Sequence, residues 1–405
     1  MNQLLSTMEK KGITTVRLII TDITGNPKSM IIPRKSFEYA RSGIGIDGSS
    51  IPGFTTVDKS DLIAVPDVES AVFSQNEVIL FCDIYETKNK IPFKGDPRYI
   101  LKNIVGKNTF LVKPELEFFL LDGDDKTPID SNGYMDEGTG LTIIKDVISS
   151  LDIAVERIHH ENGPGQYEIE LVMTPALKAC DTIILLKEQL KKHAAKYGVI
   201  CTFMPKPLFH EAGSGMHFHI LWEEQGKNTG KNKFEDLNET AQYFIGGLLT
   251  HARGITSVCN PIINSYKRLV PNYEAPVIIA WGKGNRSTLV RIPGSGKTRI
   301  EFRSPDCSCN PYLALACIIA AGLDGVTKKI KPPPEVTENI FETGSNAQAL
   351  PLTLEEALLE LENDPLIKNV LGEHVLNKFV SIKKAEISKY TTHISQWELD
   401  HYLNV

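Results

Sequence analysis

Four short apolar stretches carry polar residues at every second position: Glu115 and Glu117 in PELEFFLL, Glu168 and Glu170 in QYEIEL, His217 and His219 in GMHFHIL, and Arg299, Glu301 and Arg303 in TRIEFR. Side chains two apart on a strand leave the same face. Each stretch therefore lays carboxylates, imidazoles or guanidiniums on one side of a sheet and apolar residues on the other. Carboxylates gathered in one cleft repel one another, and burial penalises their charged forms, unless cations neutralise them. The pattern predicts a polar cleft filled by metal ions. Carboxylates with one imidazole suit magnesium or manganese, which take oxygen donors, whereas zinc sites draw more often on cysteine. Read singly, Glu115 and Glu117 match a solvated strand face, His217 and His219 match core histidines, and His159-His160-Glu161 ahead of Glu168 is a weak signal. It is the combination that points to a metal cleft.

Arg268, Arg286, Arg291, Lys297, Arg299 and Arg303 recur among apolar residues instead of forming a polybasic face. Buried guanidiniums need anionic partners, and phosphate and carboxylate match their planar forks. Metals on one side and arginines on the other make phosphoryl transfer the expected chemistry. The segment PGSGKT ends like a phosphate-binding loop, but Arg291 stands where its first glycine belongs, so that reading fails. Gly213-Ser214-Gly215, just before the His217 strand, reads as backbone approaching a ligand or as an ordinary tight turn.

The elements that must position these residues follow from pattern and composition. TTVRLIITDI and EVILFCDIY are rich in β-branched and aromatic residues, which makes the first hundred residues a small β-rich unit. Pro92 to Pro97 reads as a connector, and Asp96-Pro97 opens a helix through ILKNIV; the boundary placed there gives domains 1–96 and 97–405. LTIIKDVISSL and DTIILLKEQLKKHAAKYG have helical spacing, the latter ending at Gly198, and Thr353 with Glu356 forms a capping-box pattern before another helix. Among the 405 residues, 44 basic against 50 acidic give a net charge of -6, which argues against nucleic-acid or anionic-membrane partners and for small substrates. Seven scattered cysteines without a C-x-x-C pair exclude a disulfide framework or structural zinc site, and Cys307 and Cys309 are expected to pack beside a helix start. MNQLLSTMEKKG carries charges where a signal peptide needs an apolar run, and Tyr312–Leu323 is too short to span a bilayer. A cytoplasmic protein is expected.

Eight ordered blocks resemble glutamine synthetase of the bacterial and archaeal type I class: DGSSIPGF at 47–54, PELEFFL at 114–120, HHENGPGQYEIE at 159–170, TFMPKPLF at 202–209, GSGMHFH at 213–219, NSYKRLVPNYEAP at 264–276, NRSTLVRIP at 285–293 and RIEFRSPD at 299–306. The resemblance implies an α+β fold: an N-terminal β-grasp domain, then a larger catalytic domain with a curved antiparallel sheet and helices. It further implies a homo-oligomer, a dodecamer of two hexameric rings, whose active sites form between neighbouring subunits. By the same resemblance Glu117, Glu161 and Glu168 bind a first magnesium or manganese ion, and Glu115, His217 and Glu301 a second beside the phosphates of ATP. Arg268 and Arg303, with backbone at Gly213, would hold glutamate. Arg286 and Arg291 would bind phosphate, while Glu156, His219, Lys297 and Arg299 surround the nucleotide. Asp47, Ser50 and Tyr134 would form the ammonium pocket, and Glu274 the flap carboxylate. The implied reaction is phosphorylation of the glutamate γ-carboxylate by ATP, followed by attack of ammonia to give glutamine.

The chain also departs from the family pattern. Ala212 replaces an asparagine that contacts substrate and steadies the flap, Asn272 replaces a flap glycine, and Leu221 replaces a serine near the adenine. Loops around Phe73 to Asn76 and after Asp125 are trimmed, and Phe341 occupies the position of a tyrosine that is adenylylated in a subset of the family. Two alternatives follow. One is a γ-glutamyl ligase for a larger amine such as a polyamine or ethanolamine, and the other a non-catalytic structural or nitrogen-sensing relative.

Overall fold

In the first hundred residues, β-branched runs build a six-stranded sheet in the order Pro27–Pro33, Thr15–Thr21, Glu77–Glu86, Asp61–Pro66, Ile44–Asp47, with Val72–Ser74 also on Glu77–Glu86. The central pair, Thr15–Thr21 and Glu77–Glu86, is parallel. In this computed structural model, residues 2–224, 231–271, 273–343 and 347–405 are described, so the departure at Asn272 lies outside the described residues. The two parallel strands are buried on both faces, as their near-continuous apolar sequence requires. Leu18, Ile20, Val78 and Leu80 face a local core with Phe37 and Phe54. Ile19, Ile79 and Phe81 point the other way, into the main core. The small sheet is thus a lid fastened onto the rest of the molecule.

Charge pairs lock the same junction. Asp96 caps the helix Pro97–Val105 by accepting from the Arg98 amide, and the buried Arg98 guanidinium donates to Asp67 at 2.7 Å and to both carboxylate oxygens of Asp181 at 3.0 and 2.9 Å. Asn310, which caps the helix Pro311–Lys328, donates to the Asp22 carbonyl at 3.0 Å.

The larger sheet has nine strands. Its path runs Trp281–Lys283, Val290–Ile292, Ile300–Phe302, Met216–Glu223, Thr109–Asp122, Gln166–Leu171, Val155–His160, and Thr174–Pro175 and Val199–Thr202 also pair with Thr109–Asp122. Pairing is antiparallel except between Trp281–Lys283 and Val290–Ile292, which are parallel. Leu116, Phe118, Leu120, Ile169, Phe218, Ile220 and Phe302 form its apolar face, in one core with residues of the helices Ala176–Lys196 and Pro311–Lys328. The second of these helices is long and apolar enough to cross a membrane by length and composition, yet 72% of it is buried inside the protein. It extends past the Tyr312–Leu323 stretch at both ends because Asn310 and Pro311 start it. Cys307 and Cys309 are buried just ahead of that start.

Two helix ends differ from the expected ones. The helix expected from Asp181 begins at Ala176, where Ala176, Ala179 and Cys180 extend its buried face. At Leu354–Asn363, Thr353 accepts from the Glu356 amide, but the Glu356 carboxylate turns to the Leu352 amide, so the box is not reciprocal. A reciprocal box occurs at Ser395 and Glu398.

Candidate active site

The antiparallel register converts the four period-two stretches into rows that run across the sheet. Glu117 lies opposite Glu168, which lies opposite His159. One step along, His217 faces Glu115 and Glu115 faces Glu170. A further step aligns Arg291, Glu301, His219 and Lys113. Directly opposed residues on one face have Cβ atoms about 4.5–5.5 Å apart, so ladder geometry alone brings these groups within bonding range. From these rows Glu115, Glu117, His159, Glu168, Glu170, His217 and Arg291 line a cavity of about 540 Å³, whose other lining residues include Tyr134, Glu161, Gly213, Arg268, Glu274, Arg286 and Arg303.

Ligand atoms of Glu115, His217 and the buried Glu301 lie within 4.8 Å of one another, as do those of His159, Glu168 and Glu170. Glu115 meets His217 Nδ1 at 3.2 Å and His219 Nε2 at 2.7 Å. Burial would raise its carboxyl, but the imidazoles of His219 and His217 hold it well below the usual range. Glu301 accepts from Arg291 at 2.6 Å and Arg303 at 2.9 Å. Burial opposes its ionisation, and Arg303 with the two histidines overcomes this, leaving it at about 2. Glu170, likewise buried, is held at about 2 by His159, Lys113 and Arg157. Glu168 differs. Burial, then the charges of Glu115, Glu117 and Glu161, push its carboxyl well above the usual range. Imidazoles stand near these carboxylates, His159 at 3.7 Å from Glu161 and Glu168 and His217 at 3.8 Å from Glu117, yet the raised carboxyl of Glu168 shows that they do not offset the crowding, and oxygen donors so crowded fit a hard divalent ion. The trio Glu115, His217 and Glu301 offers a second donor set, two carboxylate oxygens and one imidazole nitrogen.

Guanidiniums line the same cavity, those of Arg268, Arg286, Arg291 and Arg303. Arg268 is 2% exposed, yet its hydrogen bonds go to backbone carbonyls, Ser304 at 2.7 Å and Arg303 at 3.3 Å. Burial lowers its pKa, against the charges of Glu117 and Asp306, and a buried guanidinium that bonds to no carboxylate among the described residues suits an anionic ligand. Gly213 and Gly215 make room for it: a Cβ at Gly213 would stand 2.5 Å from the Pro205 carbonyl and 2.7 Å from Arg268 Cγ, and one at Gly215 2.5 Å from an Arg268 Nη. The glycine pair therefore admits Arg268 to the cavity wall. Glu274 holds a left-handed φ of 60° at the rim, with its carbonyl accepting from Arg303 at 3.2 Å.

Comparison with known proteins agrees with this arrangement. A profile described as glutamine synthetase, catalytic domain, matches residues 94–402, and one described as glutamine synthetase, beta-Grasp domain, matches residues 12–87. Glutamine synthetase of Thermus thermophilus is 40% identical over 99% of this chain and 98% of its own length, and that of Staphylococcus aureus 41% identical over 98% and 96%. The chain belongs to the glutamine synthetase family. A solved structure described as a GmaS/ADP complex superposes with a TM-score of 0.91 at 30% identity over 100% of both chains. The cryo-EM structure of Plasmodium falciparum glutamine synthetase matches the fold with a TM-score of 0.87 at 24% identity over 99% and 98%.

Not every residue assigned by resemblance to glutamine synthetase reaches this cavity. Asp47 and Ser50 sit on the N-terminal domain, exposed, bonded to each other at 2.7 Å and outside the cavity lining. Glu156 pairs with Lys113 at 2.7 Å. His219 is buried behind Glu115 and accepts from Arg299 at 3.2 Å, while Lys297 borders a separate recess of about 520 Å³ with Lys231 and Asp236. Arg286 lines the cavity, exposed, and Tyr134 packs edge-on to His159 at 5.4 Å. Leu221 continues the row of His217 and His219 and is buried, and Phe341 borders the cavity.

The sequence reading missed three contributors. Lys113 carries the charge that silences Glu170, at 2.6 Å. Asp130 binds His160 at 2.7 Å and Tyr167 at 2.5 Å, anchoring the segment that carries Tyr134. Asn162 donates to both Glu161 and Glu274, each at 3.2 Å. Lys113 is legible as another period-two member of its strand, two residues before Glu115. The other two lie on loops, where no periodicity marks them.

Proposed function

We propose that this chain joins ammonia to the γ-carboxylate of L-glutamate with ATP, giving glutamine, ADP and phosphate. The observation that carries the reading is one cavity that holds crowded carboxylates, the carboxyl of Glu168 pushed well above its usual range among them, together with a buried guanidinium, Arg268, whose hydrogen bonds go to backbone carbonyls. Glu117, Glu161 and Glu168 would hold one divalent ion, and Glu115, His217 and Glu301 another, with magnesium and manganese the fitting metals. Bound there, such ions neutralise the transferring phosphoryl group.

Arg268 binds and orients a glutamate carboxylate. A γ-carboxylate oxygen attacks the terminal phosphorus of ATP, ADP leaves, and γ-glutamyl phosphate forms; Arg286, Arg291 and Arg303 offset the charge on the phosphoryl oxygens. Ammonium loses a proton to a carboxylate, Asp47 or Glu274, and the free ammonia attacks the γ-carbonyl carbon; as the C–O bond breaks, the nitrogen gives up a second proton, which leaves on the departing phosphate. Glu274 and its neighbours cover the intermediate, because water at that carbon would return glutamate. His219, Arg299, Lys297 and Glu156 border the nucleotide in this reading. The same reading takes residues 1–96 as the ammonium-side domain and 97–405 as the catalytic domain, and expects a ring-shaped homo-oligomer in the cytoplasm.

The test is a coupled ATPase assay with glutamate and a panel of amines, with products identified by mass. Glutamine formed from ammonium at higher kcat/KM than any other amide is the expected result. Preference for ethanolamine or a polyamine would overturn the assignment of ammonia.

A further inference from the structure

Glu274 and Tyr273 are held over the cavity by two side chains with no role in the chemistry above. Asn162, on the loop after Glu161, places its Nδ2 3.2 Å from Glu274 Oε2 and 3.4 Å from Oε1, and 3.2 Å from Glu161 Oε2. One amide nitrogen has two hydrogens, one for each carboxylate, so a neutral carboxamide can join two anions that otherwise repel. On the far side, Lys206 is 7% exposed and sets its ammonium 3.7 Å from the centre of the Tyr273 ring. Its other side-chain contact is a hydrogen bond to the Glu211 carbonyl. Its backbone is fixed in turn: the Lys206 amide donates to Asn264 Oδ1 at 2.7 Å, and Asn264 Nδ2 donates to the Lys206 carbonyl at 3.0 Å. Burial lowers the basicity of this lysine, and a desolvated ammonium gains most from an aromatic face.

We propose that Asn162 and Lys206 form a two-point latch that holds Tyr273 and Glu274 closed over the reacting atoms. The latch rests on the reading under Proposed function only for its consequence, the exclusion of water. Its geometry is independent of that reading. The left-handed backbone at Glu274 agrees with it, since such a conformation in a non-glycine residue persists only where surrounding contacts hold it. Lys206 also reaches the carbonyl of Glu211, so a single side chain ties Tyr273 to the segment that leads into Gly213.

Two measurements test the latch on the full chain, with Asn162→Asp and Lys206→Met as variants. The first is hydrogen exchange of the Tyr273 and Ala275 amides without substrates. Both variants are expected to exchange about 10-fold faster there than the parent, with the core strands unchanged. The second is the ratio of phosphate released to glutamine formed, which a purely structural lesion would leave alone. An open flap admits water to the γ-glutamyl phosphate, giving glutamate and phosphate, so the ratio is expected to rise at least about threefold. Parental exchange together with a parental ratio in both variants would overturn the latch. If the parent itself makes no glutamine while the variants exchange faster, the assigned reaction fails and the latch stands.

Discussion

Glu168 concentrates the chemistry of the site because the carboxylates around it outweigh the one imidazole, His159, that stands 3.7 Å away. Glu115 has two histidines, Glu301 two arginines and Glu170 a lysine and an arginine. Glu168 has other carboxylates around it, and its raised pKa records the cost. Replacing it with glutamine removes the repulsion but keeps the shape. The metal-free Glu168→Gln chain is therefore expected to melt a few degrees higher than the parent, a gain of about 1 kcal/mol. Added magnesium should then raise its melting temperature far less, because affinity at one ion falls by at least about 10-fold. Thermal melts with and without magnesium read both effects, and an undiminished magnesium shift would remove Glu168 from the ligands. The carboxylate rows are legible in the sequence because a strand has period two. What joins them is not, since register depends on which strands meet, and the pairing of Glu115 with His217 spans more than a hundred residues.

At the scale of elements, the helices that back the site meet around one imidazole. His251 follows the helix Glu239–Thr250 and precedes Ala252–Cys259. It bonds through Nδ1 at 2.7 Å to Asp364, the cap of Pro365–Thr391, and through Nε2 at 3.1 Å to Asp324 of the core helix Pro311–Lys328. Burial works against its charge, but Asp364 and Asp324 outweigh that and raise its pKa above 6.5. A raised folded pKa means that the imidazolium stabilises the fold fully below its unfolded value and ceases to do so as pH rises through the folded one. Asp364, held below its usual value despite burial by His251 and by the amides it caps, adds stability that is lost only in acid. His251→Gln is thus expected to lower the melting temperature more at about pH 6 than at about pH 9. An equal loss at both pH values would show that the imidazole acts uncharged. The caps at Asp96, Asn310 and Asp364 were open to reading from sequence, as polar residues before proline. The strands Trp281–Lys283 and Val290–Ile292 were not, because three residues are too few to display a period, and their place is fixed by the sheet edge they join.

For the whole molecule, the question is where Asp47 acts. Its carboxylate is kept below the usual range by hydrogen bonds from Ser49 and Ser50, hence anionic at neutral pH, but it faces outward from the small sheet and is absent from its own chain's cavity. Large apolar side chains stand exposed elsewhere, among them Phe209, Val57, Tyr39 and Leu403. In a ring, each small domain can present Asp47 to the cavity of the next subunit, through a head-to-tail interface that closes by rotation. Asp47→Ala and Arg303→Ala should then each abolish turnover in homogeneous assemblies, one by removing the donated carboxylate and the other by damaging the receiving wall. Dissociating the two variants together and reassembling them in equal amounts would leave about a quarter of interfaces with an intact donor and an intact receiver. Activity is expected to return to roughly that fraction of the parent's, while a subunit carrying both substitutions dilutes it. No recovery in mixed rings of verified composition would place Asp47 outside the shared site, and full activity from a monomeric preparation would show that each chain completes its own cavity.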